Sequence, residues 1–502
     1  MTSSTPVSLT QRAEQRLERL GDHDQLWFEG RWHRAEELAA RARRTAGGFA
    51  RLGVRPGDRV VLFMANCPEV MIVSAALWRA GAVVTPAMFL LSDDELRHVL
   101  RDSGAVAVVT TPEFAAKVTG VADDLPVVVV GGGDGRTLAL GELESAAELG
   151  IVPRGPEDLA VLLYTGGTTG RSKGVALSHG GLDASGAALA AAAQPDVVVG
   201  LLCLPMAHVY GLLMSVAGYH MPEIRRSVVM RWFDPAGFLA LVEQHRVQQT
   251  AFVPSMFQRL LEQPLEQHDL SSLQLVSSGG APLPREVARE FERRVPSAEV
   301  REGYGCTETS SLISAQPAGA RRLGSVGKPV AGAEVEVVDE AGRTVPPGVH
   351  GEIRVRGPVL MQGYWRSPEA TAEAVRDGWF HTGDVGTFDE DGYLYVVDRL
   401  KDVVIRNGFN VYPRDVEDAL VAHPEISAAA VVGRPDPRVG EEVVAYVTLV
   451  PGSALQPADV VEHARRHVSA AKYPREVHVV DAIPLTAVAK IDRKALRARH
   501  RS

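Results

Sequence analysis

Apolar residues recur along the chain at two spacings that alternate in a regular order. Arg34–Leu52 carries them at helical intervals, Gly57-Asp58-Arg59 makes a turn, and Val60–Met64 is an unbroken apolar run of strand length. Glu69–Ala80 is apolar enough for a buried helix, Ala82–Thr85 reads as strand, Asp93–Asp102 as an amphipathic helix and Ala105–Thr110 as a further strand. Helix and strand in alternation predict parallel sheets covered by helices.

The same order returns between Pro235 and Val295. A helix through Val242, the strand Thr250–Val253, a helix through Leu261, the strand Leu273–Val276 and a helix over Pro284–Arg294 follow one another. After residue 322 the pattern changes to period-two strands, Ala333–Val338 and Gly351–Gly357, with a turn at Asp339–Gly342. Beyond Asp398 come a helix over Arg414–Ala422, strands Ala428–Val432 and Val443–Val450, a helix over Ala458–Ser469 and a strand near Glu476. The expected fold is α/β: a large N-terminal domain (1–399) of two layered α/β subdomains plus a small β subdomain, then a small, mobile α+β C-terminal domain (400–502).

Composition narrows the class. A chain of 502 residues exceeds what one hydrophobic core usually supports, and 45% apolar content fills several. The net charge of −9 is spread without blocks of like charge, which argues against a nucleic-acid tail or a polybasic anchor. Cys67, Cys203 and Cys306 are scattered, with no zinc spacing or disulfide framework, and fit a reducing cytoplasm. Neither a signal peptide nor a membrane span is expected.

Thr165–Gly174 holds glycines, hydroxyls and Lys173 with almost no apolar side chain to bury. Such a loop can surround phosphate oxygens with N–H groups, threonine hydroxyls and a positive charge, although it is not a Walker A sequence. In Gly303-Tyr304-Gly305-Cys306-Thr307-Glu308, preceded by Ser278–Leu283, small residues let backbone approach a flat ring. Tyr304 can stack there, and Thr307 and Glu308 can hold a phosphate and its magnesium. Asp384, in Trp379–Asp384, could accept both hydroxyls of a ribose, with Arg399 following. Singly, Tyr304 also reads as core, Glu308 as a solvated acid and Asp384 as a turn residue. Val127–Arg136 lacks the third glycine of a dinucleotide fingerprint and reads as a tight turn.

These motifs, with Gly351–Pro358 and Gly408–Pro413, stand in the order found in acyl- and aryl-CoA synthetases. The chain resembles that adenylate-forming superfamily from about residue 30 to its end. The resemblance implies an AMP-forming ligase. A carboxylate attacks the α-phosphorus of Mg·ATP and expels pyrophosphate, and the thiol of CoA then attacks the acyl-adenylate and releases AMP.

Carried over residue by residue, nucleotide contacts fall on Thr165, Gly166, Thr168, Thr169, Lys173, Gly279, Gly280, Ala281, Pro282, Glu302, Gly303, Tyr304, Thr307, Asp384 and Arg399, with Glu308 on the metal. Lys490 would bridge carboxylate and ribose in the first step, and His208 would guard the carboxylate. Ala207, Val209 and Tyr210 would line the acyl pocket, Lys401 would be the hinge, and Gly408 and Phe409 would meet CoA in a second domain pose. The implied partners are a hydrophobic or aromatic acid, or its adenylate, and CoA; a homodimer is left open. Transfer to a carrier protein or an amine, and a non-catalytic adenylate-binding protein, are the rival readings.

Two departures from the family matter. Ala207 stands where an aromatic is common, so a wider pocket and a sizeable acid are expected. Ala489 replaces the usual glycine before Lys490, and its Cβ, after β-branched Val488, restricts backbone freedom. The expectation is that adenylation suffers more than thioester formation.

Overall fold

Two large sheets lie at the centre of the structure, a computed structural model that describes residues 7–165, 171–485 and 491–499. One sheet runs, in spatial order, through strands 363–364, 173–178, 159–165, 83–86, 59–63, 105–110, 127–129 and 138–139. The other runs through 328–329, 314–315, 299–304, 275–278, 249–252, 199–202, 226–229, 24–28 and 31–34. The central strands of both are parallel and buried, which is why they read as Val- and Leu-rich runs rather than as alternation.

The expected helices form with small shifts at their ends: Ala35–Arg51, Pro68–Arg79 and Asp93–Ser103 in the first unit, Pro235–His245, Pro254–Leu261 and Arg285–Arg294 in the second. Local chemistry sets the ends. The Ser92 hydroxyl accepts from the Glu95 amide at 3.3 Å while the Glu95 carboxylate accepts from the Ser92 amide at 2.7 Å, and Gly104, with φ +61°, stops the same helix. A further helix, Leu9–Leu20, precedes the region where the pattern was legible. Ser8 and Gln11 cap it reciprocally, a Ser-x-x-Gln signal present in the sequence.

The small β subdomain is antiparallel, with strands 334–338, 351–356, 375–376, 379–388 and 394–399 around Ile313, Val337, Ile353, Val355 and Leu394. Residues beyond 402 build a fourth sheet with helices Pro413–Val421 and Pro457–His467 and a separate core that includes Val404, Leu420, Val443 and Val460. This unit docks on the β subdomain through Arg414. Its amide donates to Asp398 Oδ2 at 2.9 Å and its Nη1 to the Val396 carbonyl at 2.8 Å.

The second sheet is backed by an aromatic cluster. Phe252 is fully buried, its ring centroid 5.0 Å from Phe238, 5.1 Å from Phe257 and 5.9 Å from Phe233. Phe252→Ala is expected to destabilise the protein by about 3–5 kcal/mol in denaturant unfolding, through lost burial and the cavity left behind.

Candidate active site

A cavity of about 980 Å³ opens at the C-terminal ends of the second sheet's strands and runs under the β subdomain and the C-terminal unit. Its wall includes Thr165, Lys173, Ala207, His208, Val209, Tyr210, Gly279, Gly280, Ala281, Pro282, Glu302, Gly303, Tyr304, Thr307, Glu308, Asp384, Arg399 and Lys401. Every expected nucleotide, metal and acyl-pocket residue among the described ones therefore meets in one place. Gly166, Thr168, Thr169 and Lys490 lie outside the described residues, as does Ala489. Their neighbours do reach the cavity: Thr165 pairs with Lys173 across a hairpin, and Leu485 and Ile491, joined by an antiparallel bridge, both line it.

The charged end is organised by one buried carboxylate. Tyr304 donates its hydroxyl to Asp384 Oδ2 at 2.6 Å, and Arg399 Nε approaches Asp384 Oδ1 at 2.8 Å. Burial, with Asp384 beside it, pushes the Tyr304 phenol well above its ordinary pKa, so it stays protonated and remains a donor. Asp384 itself is buried, and the Thr382 hydroxyl accepts from its amide at 3.0 Å. These bonds tie the strand bearing Tyr304 to the β subdomain and to the last residue before the C-terminal unit.

Lys173 and Glu308 meet through a residue with no motif to announce it. Tyr364 donates to Glu308 Oε1 at 3.0 Å, and Lys173 Nζ lies 5.1 Å from the centre of its ring. Tyr364 arrives on a two-residue strand paired with the strand that Lys173 begins, a long-range pairing without a local signature. Arg414 was also absent from the expected set. It faces buried Glu302, whose carboxyl is pushed up chiefly by burial and drawn back by the Arg414 charge.

Among the described residues no three His, Cys, Asp or Glu side chains group to hold a metal. A magnesium ion needs no such cage when nucleotide phosphates complete its shell, and the Glu308 carboxylate on the cavity wall fits one protein ligand.

The other end of the cavity is apolar. His208 caps the helix Val209–Gly218, its Nδ1 accepting from the Tyr210 amide at 3.2 Å, which leaves the proton on Nε2. One face of that helix, Tyr210, Leu213, Met214, Ala217 and Gly218, lines the space. Gly279 makes room for Tyr210: a Cβ there would lie 3.1 Å from Tyr210 Cε1. Gly408 and Phe409 are not on this wall. They lie on the hairpin of strands 404–406 and 409–411, Gly408 at φ +76° and Phe409 62% exposed.

A charged end that suits a nucleotide runs directly into an apolar end that suits an organic acid, in a protein of two α/β layers with a capping unit. The chain belongs to the AMP-binding enzyme family, whose model matches residues 13–365 and whose C-terminal domain matches 415–490. It is 38% identical over 483 residues to a feruloyl-CoA synthase from Amycolatopsis sp, covering 92% of this chain and 93% of that one. It superposes on ATP-bound MatB from Rhodopseudomonas palustris with a TM-score of 0.90 at 32% identity, covering 98% and 99% of the two chains. It also superposes on an amide bond synthetase from Marinactinospora thermotolerans with a TM-score of 0.88 at 30% identity and the same coverage.

Tyr304→Phe strips a donor from buried Asp384. The expected outcome is a loss of about 1–3 kcal/mol in unfolding free energy, together with weaker AMP binding by isothermal titration calorimetry.

Proposed function

We propose that the protein is an AMP-forming acid–CoA ligase for an extended hydrophobic or aromatic carboxylic acid. The observation that carries this reading is the single cavity whose charged and apolar ends meet at His208 and the Gly279–Pro282 run. Asp384 would take the ribose hydroxyls, Tyr304 would lie against the base, and Lys173 with Thr165 and Thr307 would hold phosphates. Glu308 would be a ligand to magnesium, which when bound would neutralise phosphate charge. His208 would keep the acid's carboxylate aligned, and Ala207, Val209 and Tyr210 would contact its hydrocarbon.

Lys490 would bring positive charge to the point where carboxylate and α-phosphate meet. Removing one such preorganised donor costs roughly 3–4 kcal/mol of barrier. The bridged pair Leu485 and Ile491, which flank it in the sequence and line the cavity wall, supports this role.

Thiol attack needs that space vacated. We assign the C-terminal unit from residue 400 as a body that turns about Lys401 and so brings Gly408 and Phe409 to the thiol arm of CoA. The separate core of that unit and the exposure of Phe409 outside the cavity support it. The ammonium of Lys401 is destabilised first by burial and then by Arg399, which lowers its pKa and suits a residue that leaves this environment when the domain turns. Three unpaired thiols, two of them buried, favour the cytoplasm.

The resemblance to an amide bond synthetase supports one rival, in which an amine takes the acyl group. With ATP, magnesium and a ferulate-like acid, CoA alone is expected to yield free acyl-CoA and stoichiometric AMP by liquid chromatography. If acyl-AMP accumulates with CoA and is consumed only when an amine or a carrier protein is added, the ligase reading is wrong. If no acid on a panel of fatty, aryl and α,ω-dicarboxylic acids yields AMP above background, the chain is a binding protein.

Ala489 makes a separate prediction about the first half-reaction. Ala489→Gly is expected to raise acid-dependent pyrophosphate exchange several-fold while leaving the conversion of supplied acyl-AMP to thioester little changed. Equal exchange rates in the two proteins would remove any handicap at this position.

A further inference from the structure

The apolar end of the cavity does not finish as an apolar pocket should. Leu275, Gln249, Gly200 and Ser227 stand side by side in register across four strands, and all four line the cavity. The space therefore passes beneath the helix Val209–Gly218 toward the N-terminal edge of the sheet, a path of about 15 Å for ten helical residues. The helix Leu9–Leu20 closes that far edge, with Arg19 Nη2 donating to the Met221 carbonyl at 2.8 Å.

Two guanidinium groups face this closed end, Arg16 from the closing helix and Arg225 from the segment entering the strand 226–229. Arg16 is only 7% exposed, and its Nε is buried without a partner. Among the described residues it hydrogen-bonds from Nη1 to Gln25 Oε1 at 3.4 Å, and the phenol of Tyr219 lies within electrostatic reach. Arg225 donates from Nη2 to the Gln194 carbonyl at 2.7 Å, while its Nε and Nη1 are buried and unpartnered. The exposed Glu223 lies near enough to favour the Arg225 charge but makes no hydrogen bond with it. Neither guanidinium is bonded to a carboxylate among the described residues.

Arg301, buried on the wall of the same cavity, provides the contrast: its Nε donates to Glu299 at 2.7 Å. A guanidinium does not lose its proton when buried, so an unpaired one leaves charge and donors unsatisfied. Two of them on the wall at the far end of the cavity make that end a site for an anion that arrives with the substrate.

We infer that Arg16 and Arg225 hold a second, anionic group of the acid, at the end opposite the carboxylate that is activated. The preferred substrate is then a long, largely apolar acid ending in a carboxylate, bound more tightly than a fatty or cinnamic acid that lacks the second anionic group. This rests on the reading of the cavity as an acyl site, which a separate measurement checks.

The test compares α,ω-dicarboxylic acids of graded length with monocarboxylic acids of the same carbon count and with their ω-amides. Binding to the full-length protein in the presence of AMP is read by isothermal titration calorimetry. At the best length, wild type is expected to bind the diacid roughly tenfold or more tightly than either partner. Arg16→Met and Arg225→Met should each abolish most of that preference, and Arg16→Lys should restore part of it. A wild-type preference for the monocarboxylic acid, equal binding of the ω-amide, or an unchanged ratio in both methionine variants overturns the inference. The wild-type ratio requires no variant to fold. AMP and acyl-CoA formation from the same acids, measured in parallel, tests the ligase reading alone, since binding preference and turnover can fail separately.

Discussion

Asp384 holds the architecture of the site together. A buried carboxylate is stable only when its oxygens are taken, and here Tyr304 takes one and Arg399 the other. Tyr304 comes from the second large sheet, and Asp384 and Arg399 from paired strands of the β subdomain, so satisfying one acid fixes these two parts of the chain relative to each other. The adjoining bonds of Arg414 to Asp398 and Val396 extend that arrangement into the C-terminal unit. A nucleotide ribose, added to Asp384, would join a network that is already the junction between domains.

The electrostatics of the cavity follow the same economy. Positive charge is supplied by residues remote in sequence, Lys173, Arg399 and Arg414, while the chain as a whole is acidic. Phosphate affinity is therefore local and depends on folding, as the unclustered charge pattern implied. Tyr364 illustrates how finely it is arranged: one aromatic ring lies beneath the Lys173 ammonium while its hydroxyl orients the Glu308 carboxylate.

What the amino-acid pattern revealed and what it hid divide along a physical line. The helices and strands of the parallel sheets were legible because each spacing is local, and the glycine-rich loops because their composition has no packing purpose. The described residues that the motifs singled out, among them Thr165, Lys173, Tyr304, Glu308, Asp384 and Arg399, line one cavity. Tyr364 and Arg414 escaped because each acts through a partner far along the chain, and Arg16 and Arg225 because only the fold brings them to the cavity wall. The far wall of the acyl cavity is a row across four strands, one residue from each, and no window of sequence contains it. The helix Leu9–Leu20 carried a readable capping signal, yet its purpose in closing the cavity came only from the fold.

The hairpin of strands 24–28 and 31–34 has a consequence in time. Leu26 and Trp27 pair in parallel with Ser227 and Val228, so a strand among the first made attaches to one made roughly 200 residues later. At ribosomal speeds of about 5–20 residues per second, that delay is on the order of tens of seconds. During it Leu26 and Phe28, both destined for the core, have no sheet to join. The nascent chain must keep this edge occupied by its own hairpin or by a chaperone until the strand 226–229 emerges.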